Sequence, residues 1–228
     1  MMVDILAFGA HPDDVEFGCG GILAKAAAQG QSIVIVDLTL GEKGTNGNPM
    51  LRKAEGEAAA LTIGAKRFYL NFNDCEVLDT YESRLKLVKV IREHRPRLVL
   101  APVWNGERNH PDHLSCGLMA RYACRYARFM KILPEIPIHR TEGILHYLPH
   151  AGKETDFIID VTPYVDTWKR MMECHRSQML TSAYSDKALK NAANYGAMID
   201  TPYAQGLSTG NPIVIDDVLS ICRGTQEI

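Results

Sequence analysis

Apolar residues occur in two alternating patterns along the first 130 or so residues of this chain. Short apolar runs without helical spacing predict buried parallel strands, at residues 3–9, 32–40, 67–70 and 98–101. The segments between and after these runs are amphipathic or rich in alanine and predict helices, at residues 22–29, 52–63, 81–95 and 114–130. The pattern is less regular beyond Pro134, where it predicts two strands and then two helices, at residues 143–148, 155–161, 164–176 and 186–198.

This alternation of strands and helices predicts an α/β fold. Parallel strands joined by helices form a doubly wound, Rossmann-like sheet with right-handed crossovers. We therefore expect a mostly parallel sheet flanked by helices, with the less regular C-terminal part as an appendage. Because the chain has 228 residues and no Ser/Gly-rich linker, we expect a single domain over residues 1–228.

Composition and charge narrow the class of function. Hydrophobic residues make up 46% of the chain and charged residues 23%, which excludes a disordered or fibrous protein. The formal net charge is −2 and no basic stripe is present, so nucleic acid is not an expected partner. We expect a small-molecule ligand instead.

The cysteines and the N-terminus bear on the cellular compartment. The six cysteines are irregularly spaced and form no Cys-x-x-Cys pair, which is typical of a protein from a reducing compartment. The apolar run that ends at Ala10 is short and lacks the basic start of a secretory signal. The chain contains no stretch of 18 uninterrupted apolar residues, so its sequence does not predict a membrane span. We therefore expect a cytoplasmic protein without a membrane partner.

One tripeptide, His-Pro-Asp, occurs twice in the chain, at residues 11–13 and again at residues 110–112. Each copy is followed directly by another potential metal ligand, Asp14 in the first case and His113 in the second. Each copy also follows a predicted parallel strand or the loop that leaves it. Because ligands of open α/β sheets bind outside the carboxyl ends of the strands, the two motifs are expected to face each other across one cleft.

Each motif also has an ordinary structural interpretation. A single His-Pro-Asp is often a turn, because proline fixes φ and aspartate caps the following helix. Asp112 alone is explained equally well as the N-cap of the helix after it. The presence of both motifs at equivalent strand ends favours a shared metal site over two unrelated turns.

The chemistry of such a metal site favours zinc and hydrolysis. Two imidazoles and one carboxylate leave an open coordination position, as in catalytic zinc sites. The same ligands suit the iron(II) of non-haem oxygenases, so they leave the metal open. The motifs also hold a carboxylate and an imidazole beyond the three ligands, and these suit the acid–base steps of hydrolysis. A non-catalytic nucleotide-binding module is a third possibility, but no Gly-x-Gly-x-x-Gly follows the first strand.

The two motifs resemble those of a known family. The segments Ala10-His11-Pro12-Asp13-Asp14, Gly18-Cys19-Gly20-Gly21 and His110-Pro111-Asp112-His113 are similar to those of zinc-dependent de-N-acetylases of the PIG-L/LmbE superfamily. Further segments resemble its bacillithiol-biosynthesis branch, which deacetylates N-acetylglucosaminyl-malate: Val36-Asp37-Leu38-Thr39, Arg52 with Glu55, His146-Tyr147, Ser177-Gln178, Tyr195-Gly196 and Tyr203-Ala204-Gln205-Gly206. The resemblance implies a zinc cofactor, an N-acetylated amino sugar as substrate and a homo-oligomer, often a hexamer.

The resemblance also implies roles for the residues of both motifs. It implies three zinc ligands, His11, Asp14 and His113. It implies that Asp13 is the general base that accepts a proton from the attacking water. His110 would stabilise the tetrahedral intermediate or protonate the leaving amine, and Asp112 would orient the His110 ring.

Four further residues are candidate substrate contacts. Arg52 matches a family arginine near the sugar, and its guanidinium suits a carboxylate; alternatively, it is a surface residue paired with Glu55, three positions on. The bacillithiol branch usually has Arg directly before the second motif, where this chain has Asn109 preceded by Arg108. Tyr195 is the fourth candidate, although an aromatic residue in an amphipathic helix is more often part of the core.

Overall fold

The apolar runs of the sequence form the central sheet. In the computed structural model, which describes residues 2–106, 109–147, 155–215, 217 and 219, the described residues form one seven-stranded sheet. Its strands are β1 (Ile5–Gly9), β2 (Ile33–Asp37), β3 (Lys66–Tyr69), β4 (Leu98–Pro102), β5 (Gly143–Tyr147), β6 (Phe157–Asp160) and β7 (Ala204–Thr209). Their order across the sheet is β3-β2-β1-β4-β5-β7-β6. The pairings are parallel except for those of β7, which runs antiparallel to β5 and β6.

Helices cover both faces of the sheet. They are α1 (Asp14–Ala28), α2 (Pro49–Leu61), α3 (Tyr81–His94), α4 (Pro111–Tyr126), α5 (Val165–Glu173) and α6 (Tyr184–Ala197). Successive β1 side chains point to opposite faces, so Leu6 and Phe8 pack with Met119 of α4, and Ile5 packs with Leu23 of α1. This arrangement confirms the predicted Rossmann-like fold. None of the helices in the described part of the chain combines the length and apolar character needed to cross a membrane.

Helix α1 begins at Asp14, whereas the sequence pattern predicts its start at residue 22. The glycines that suggest a late start lie on both sides of a kink at Cys19, where φ is −143° and two helical segments meet. A Cβ at Gly18 would lie 2.4 Å from the ring of Tyr147, and one at Gly20 would lie 2.6 Å from the ring of Trp168. Close packing against these rings requires glycine at both positions, so these residues serve tertiary contacts on either side of the kink.

The sequence pattern does not predict strand β7. Its residues, Ala-Gln-Gly-Leu-Ser-Thr, show no alternation of apolar and polar side chains. The strand forms because its backbone pairs with β5 on one side and β6 on the other. The C-terminal part of the chain therefore extends the main sheet through β6 and β7.

The strand order places both His-Pro-Asp motifs at one crevice. From β1 the sheet grows in one direction through β2 and β3, and in the other direction through β4 and β5. The loops that follow β1 and β4 consequently diverge, and such a switch point is the usual ligand-binding site of an open α/β sheet. The first motif follows β1, and the second leads from the loop after β4 into α4.

Candidate metal centre and active site

The two His-Pro-Asp motifs meet at this crevice. His11 lies just after β1, Asp14 is the first residue of α1, and His113 lies in the first turn of α4. The Nε2 atom of His113 is 2.9 Å from Oδ1 of Asp14. The Nδ1 atom of His11 is 3.4 Å from the other carboxylate oxygen, Oδ2. The fold thus brings the three predicted metal ligands together.

The carboxylate of Asp14 is held by backbone groups as well as by the two imidazoles. Its Oδ2 atom accepts hydrogen bonds from the N–H groups of Ala10, at 2.9 Å, and His11, at 2.8 Å. Burial raises the pKa of Asp14, but the neighbouring His113 and His11 outweigh burial and hold this pKa well below its usual value. The side chain is therefore ionised at neutral pH, as a metal ligand has to be.

The second ring nitrogen of His11 faces two carboxylates. Its Nε2 atom lies 3.0 Å from Oδ1 of Asp74 and 3.4 Å from Oδ2 of Asp112. Because carboxylates accept hydrogen bonds, they favour a proton on Nε2, and this tautomer leaves the Nδ1 lone pair toward Asp14. Burial lowers the pKa of His11, but attraction to Asp14 and hydrogen bonds to the three carboxylates raise it to about 12. These surroundings stabilise a positive charge, whether a proton or a metal ion carries it.

The donor set fits a metal ion. Ring nitrogens of His11, His110 and His113 lie within 4.8 Å of one another, and Asp14 contacts two of these rings. Two imidazoles and one carboxylate with an open position suit catalytic zinc, and they suit iron(II) equally well. The geometry therefore supports a metal centre, and the donor types leave the choice between these two metals open.

Asp13 has a backbone conformation that residues other than glycine rarely adopt, with φ 149° and ψ −24°. The carboxylates of Asp13 and Asp14 have different partners. Oδ1 of Asp13 lies 3.3 Å from Nη2 of Arg52, and both side chains are largely buried. Burial and repulsion by Asp14 raise the pKa of Asp13, while the positive charge of Arg52 opposes the rise. A carboxylate of raised basicity thus lies directly beside the predicted metal ligands.

The ring of His110 caps helix α4. Its Nδ1 atom accepts a hydrogen bond from the backbone N–H of Asp112 at 3.2 Å. Burial lowers the pKa of His110, and repulsion by His11 and His113 lowers it further. The ring is therefore favoured in its neutral form, and the capping bond then leaves the proton on Nε2.

The carboxylate of Asp112 accepts hydrogen bonds from backbone groups after β3, and its predicted role in orienting the His110 ring stays a prediction. Its Oδ2 atom accepts a hydrogen bond from the N–H of Cys75 at 2.8 Å, and its Oδ1 atom accepts one from Val77 at 3.4 Å. The same carboxylate faces Nε2 of His11. The backbone N–H of Asp112 donates a hydrogen bond to the ring of His110, so these two residues contact each other through the backbone of Asp112.

Asp74 belongs to this site although the sequence analysis does not identify it. Its carboxylate is buried, contacts His11 and accepts a hydrogen bond from the N–H of Lys43 at 2.8 Å. The hydrogen bond from His11 holds the pKa of Asp74 well below its usual value. The feature of the sequence that could have identified Asp74 is its position shortly after β3, at the same edge of the sheet as the two motifs.

Arg52 is buried beneath the loop that follows β2. Its Nη1 atom donates to the carbonyl of Gly41 at 3.0 Å, and its Nη2 atom donates to the carbonyl of Pro12 at 3.2 Å. Glu55 has a different partner, since it accepts hydrogen bonds from the backbone N–H of Ser177 at 2.8 Å and from its hydroxyl at 2.6 Å. The alternative of a surface pair between Arg52 and Glu55 is therefore wrong.

The other candidate substrate contacts lie in different environments. Arg108 is outside the described residues. Asn109 is buried, and its Nδ2 atom donates to the carbonyl of Asn105 at 2.9 Å. Tyr195 is buried in a small apolar cluster with Val103 and Ala204. Their roles in substrate binding stay predictions.

The motif residues line one cavity with a volume of about 350 Å³. Part of its wall comes from the loop after β2, through Lys43, Gly44 and Thr45. This loop is tied to the segment before α6, because Asn46 donates from Nδ2 to the hydroxyl of Thr181 at 2.8 Å and accepts at its carbonyl from Gln178 at 3.0 Å. The cavity is of a size to hold a small molecule beside the predicted metal ligands, the carboxylate of Asp13 and the ring of His110.

Known proteins are similar to this chain in sequence and in fold. The GlcNAc-PI de-N-acetylase (PIG-L) family model matches residues 6–124, just over half of the chain. A diacetylchitobiose deacetylase from Thermococcus kodakarensis is 29% identical over 220 residues, which cover 89% of this chain and 81% of that protein.

Solved structures extend the similarity to nearly the whole chain. The conserved protein TT1542 from Thermus thermophilus is 32% identical, with a TM-score of 0.88 over 94% of this chain and 97% of that one. GalB, the 4-carboxy-2-hydroxymuconate hydratase from Pseudomonas putida, is 22% identical and has a TM-score of 0.81, covering 95% of this chain and 100% of its own. At this identity the similarity shows a shared fold alone. On the family match, which covers more than half of its residues, the chain belongs to the PIG-L family of de-N-acetylases.

Proposed function

We propose that this protein is a zinc-dependent hydrolase that removes the N-acetyl group from an N-acetylglucosamine-type substrate. The observation that carries this proposal is the position of Asp13 and His110. Both line the cavity that also contains the predicted metal ligands His11, Asp14 and His113. A base and an acid beside one metal centre are what amide hydrolysis needs.

The predicted ligands His11, Asp14 and His113 would hold the metal ion. When bound, zinc lowers the pKa of a coordinated water to about 7 and polarises a carbonyl group. We prefer zinc to iron(II) because Asp13 and His110 remain available for proton transfer once three ligands are assigned. Oxygen activation does not require such a pair, whereas hydrolysis uses both members.

Asp13 would act as the general base. Its carboxylate accepts a proton from the water that attacks the acetyl carbonyl. The ion pair with Arg52 stabilises the ionised form of Asp13 despite burial, and the same guanidinium fixes the loop segments at Pro12 and Gly41. Arg52 therefore opposes protonation of the base and holds it in place.

His110 would stabilise the transition state. In the neutral ring Nε2 carries the proton, because Nδ1 accepts the N–H of Asp112. An N–H donor in this cavity can stabilise the oxygen of the tetrahedral intermediate. An amide nitrogen leaves poorly unless it is protonated, and His110 is also the candidate donor of that proton to the departing amine once the ring has itself taken up a second proton and become an imidazolium.

The substrate class follows from the relatives. The Thermococcus kodakarensis protein is a diacetylchitobiose deacetylase. A second relative is the mycothiol S-conjugate amidase of Streptomyces coelicolor. It is 26% identical over 220 residues, which cover 76% of this chain and 73% of that protein. N-acetylglucosaminyl-malate, the substrate of the bacillithiol branch, is a further candidate. Its two carboxylates would need cationic partners, and Lys43 and Arg52 are the Lys or Arg side chains among the described residues that line the cavity.

The test is acetate release by the zinc-loaded protein from three sugars: N-acetylglucosamine, N,N′-diacetylchitobiose and N-acetylglucosaminyl-malate. We expect acetate and free amine in equal amounts from at least one sugar, with no oxygen uptake. The Asp13→Asn variant is the matched control, because it keeps the shape of the side chain and removes the base. Turnover of the iron(II)-loaded protein that consumes oxygen, or no acetate from any sugar, would contradict the proposal.

A further inference from the structure

Two aromatic rings form part of the cavity wall and take no part in the mechanism above. Phe17 and Tyr184 both line the cavity, and their ring centroids lie 5.6 Å apart with an interplanar angle of 36°. Phe17 comes three residues after Asp14 on α1, so the two side chains share one face of the helix. The rise between these residues is about 4.5 Å, which places the ring roughly one helical turn from the metal ligand.

The aromatic residues of the cavity range from buried to exposed. The ring of Tyr147 is only 2% exposed, Phe17 is partly buried, and Tyr184 is 43% exposed at the first position of α6. Phe17 is also backed by the buried ring of His175, with centroids 6.2 Å apart. Tyr184 therefore lies at the mouth of the cavity, next to a ring that is fixed from behind.

The size of the cavity determines which part of a glycoside lies inside it and which part lies at its mouth. A volume of about 350 Å³ is near the lower end of the range for ligand pockets. The sugar ring that carries the acetamide has to enter this space, because the amide must reach the metal centre. The group attached to that ring then extends to the mouth, where it meets Tyr184.

We infer that Phe17 and Tyr184 form a stacking subsite for a second ring, so that the preferred substrates are glycosides whose attached group is itself a ring. This inference rests on the proposed deacetylase function. Pyranose rings present flat C–H faces that pack well on aromatic side chains. The ammonium of Lys187 also lies 5.3 Å from the Tyr184 centroid.

The test compares two substrates in one enzyme. We would measure kcat/KM of the zinc-loaded full chain for N,N′-diacetylchitobiose and for N-acetylglucosamine, and take their ratio. We expect the wild type to prefer the disaccharide, and Tyr184→Ala to lower the ratio by about 3- to 10-fold, mainly through KM of the disaccharide. Tyr184→Phe keeps the ring and should keep most of the preference.

Tyr81→Ala is the matched control. Tyr81 is also the first residue of a helix, α3, and is 51% exposed, but it lies away from the cavity lining. This variant should leave both kcat/KM values at the wild-type level. Equal losses on both sugars in Tyr184→Ala, or an effect of Tyr184→Phe as large as that of Tyr184→Ala, would overturn the inference.

Calorimetric binding separates this inference from the proposed function. The Asp13→Asn variant, with and without Tyr184→Ala, would be titrated with each sugar. Tighter binding of the disaccharide that depends on Tyr184 supports the subsite even if no acetate is released, in which case only the proposed function fails. Turnover without any dependence on Tyr184 leaves the function in place and rejects the subsite.

Discussion

The carboxylate of Asp112 lies 3.4 Å from Nε2 of His11, while the other nitrogen of the same ring faces Asp14. This contact joins the start of α4 to the residue that follows β1. A carboxylate on the far nitrogen of a metal-binding histidine fixes its tautomer and makes the near nitrogen a better ligand. We therefore predict that Asp112 contributes to the metal centre through His11.

We predict that Asp112→Asn weakens zinc binding by about 10- to 100-fold. The amide keeps the shape of the side chain and removes the negative charge that faces His11. The measurement is the zinc Kd, obtained by competition with a chelator of known affinity. Asp79→Asn is the control, because the carboxylate of Asp79 pairs with Arg84 instead. An unchanged Kd in Asp112→Asn would show that the contact with His11 does not matter for the metal.

The adjacent carboxylates Asp13 and Asp14 should differ in their effects when replaced. Asp13→Asn should retain one zinc ion per chain and lose turnover by about 10²- to 10⁴-fold, because it removes only the proton acceptor. Asp14→Asn should lose the metal, since Asp14 is the carboxylate between the two imidazoles. Elemental analysis after dialysis, alongside acetate assays, makes the comparison. Similar zinc loss in both variants would mean that the two roles are misassigned.

Gly117 should be intolerant of alanine because α4 lies close to the end of β4. A Cβ at this position would be 2.3 Å from the carbonyl oxygen of Pro102 and 3.0 Å from the backbone nitrogen of Trp104. Backbone atoms cannot move aside as a side chain does, so we expect Gly117→Ala to lower the free energy of unfolding by at least about 2 kcal/mol. Urea denaturation measures this loss.

The same change should weaken zinc binding, because His113 lies four residues before Gly117 on the same face of α4. Gly143→Ala is the matched control, since its Cβ would have an ordinary contact of 3.5 Å with Leu98. We expect the control to change the free energy of unfolding by less than about 1 kcal/mol. Similar values for the two variants would refute the packing argument.

His146 should make stability depend on pH. Its ring is fully buried on β5, and its Nδ1 atom lies 2.8 Å from the carbonyl oxygen of Pro102. Burial lowers the pKa of His146 to about 4 against an opposing hydrogen bond to Pro102. Because the ordinary value is 6.5, the unfolded chain binds this proton first as the pH falls. The contribution of His146 to stability is therefore complete above pH 6.5 and is lost between pH 6.5 and 4, by about 3 kcal/mol.

The His146→Asn variant tests this prediction, because the new side chain can keep the hydrogen bond to Pro102 and does not titrate. Urea denaturation of His146→Asn at pH 7 and pH 5 should therefore show a smaller fall in the free energy of unfolding than the wild type shows. Because all other titrating groups are common to both proteins, the difference between the two falls isolates His146. Equal falls would show that the ring is protonated in the folded state.

The hydrophobic pattern was a reliable guide where local spacing decides the structure. The strands β1, β2 and β4 consist largely of buried apolar residues, and the predicted runs contain them almost entirely. The pattern was a poor guide before residue 22, because it did not predict the helical segment that begins at Asp14 and reaches the kink at Cys19. It also missed β7, whose backbone pairing leaves no mark in side-chain spacing.

The composition of the candidate site could be predicted in part. The repeated His-Pro-Asp motif, together with strand ends that share one edge of a parallel sheet, was enough to bring His11, Asp14 and His113 together. The motif gave no information on Asp74, which reaches His11 from the segment after β3. It also gave no information on the partners of Asp112, whose backbone N–H donates to the His110 ring and whose carboxylate faces His11.

The sequence by itself determined the α/β class, the strand ends that carry the chemistry and the residue types at those ends. These features depend on the spacing of residues along the chain, which can be read directly from the sequence. The tertiary structure alone decided which carboxylate faces which imidazole, that Arg52 is buried beside Asp13, and that Phe17 and Tyr184 share one cavity wall. Such contacts join segments that are distant in sequence, and their geometry depends on how helices and loops pack around the sheet.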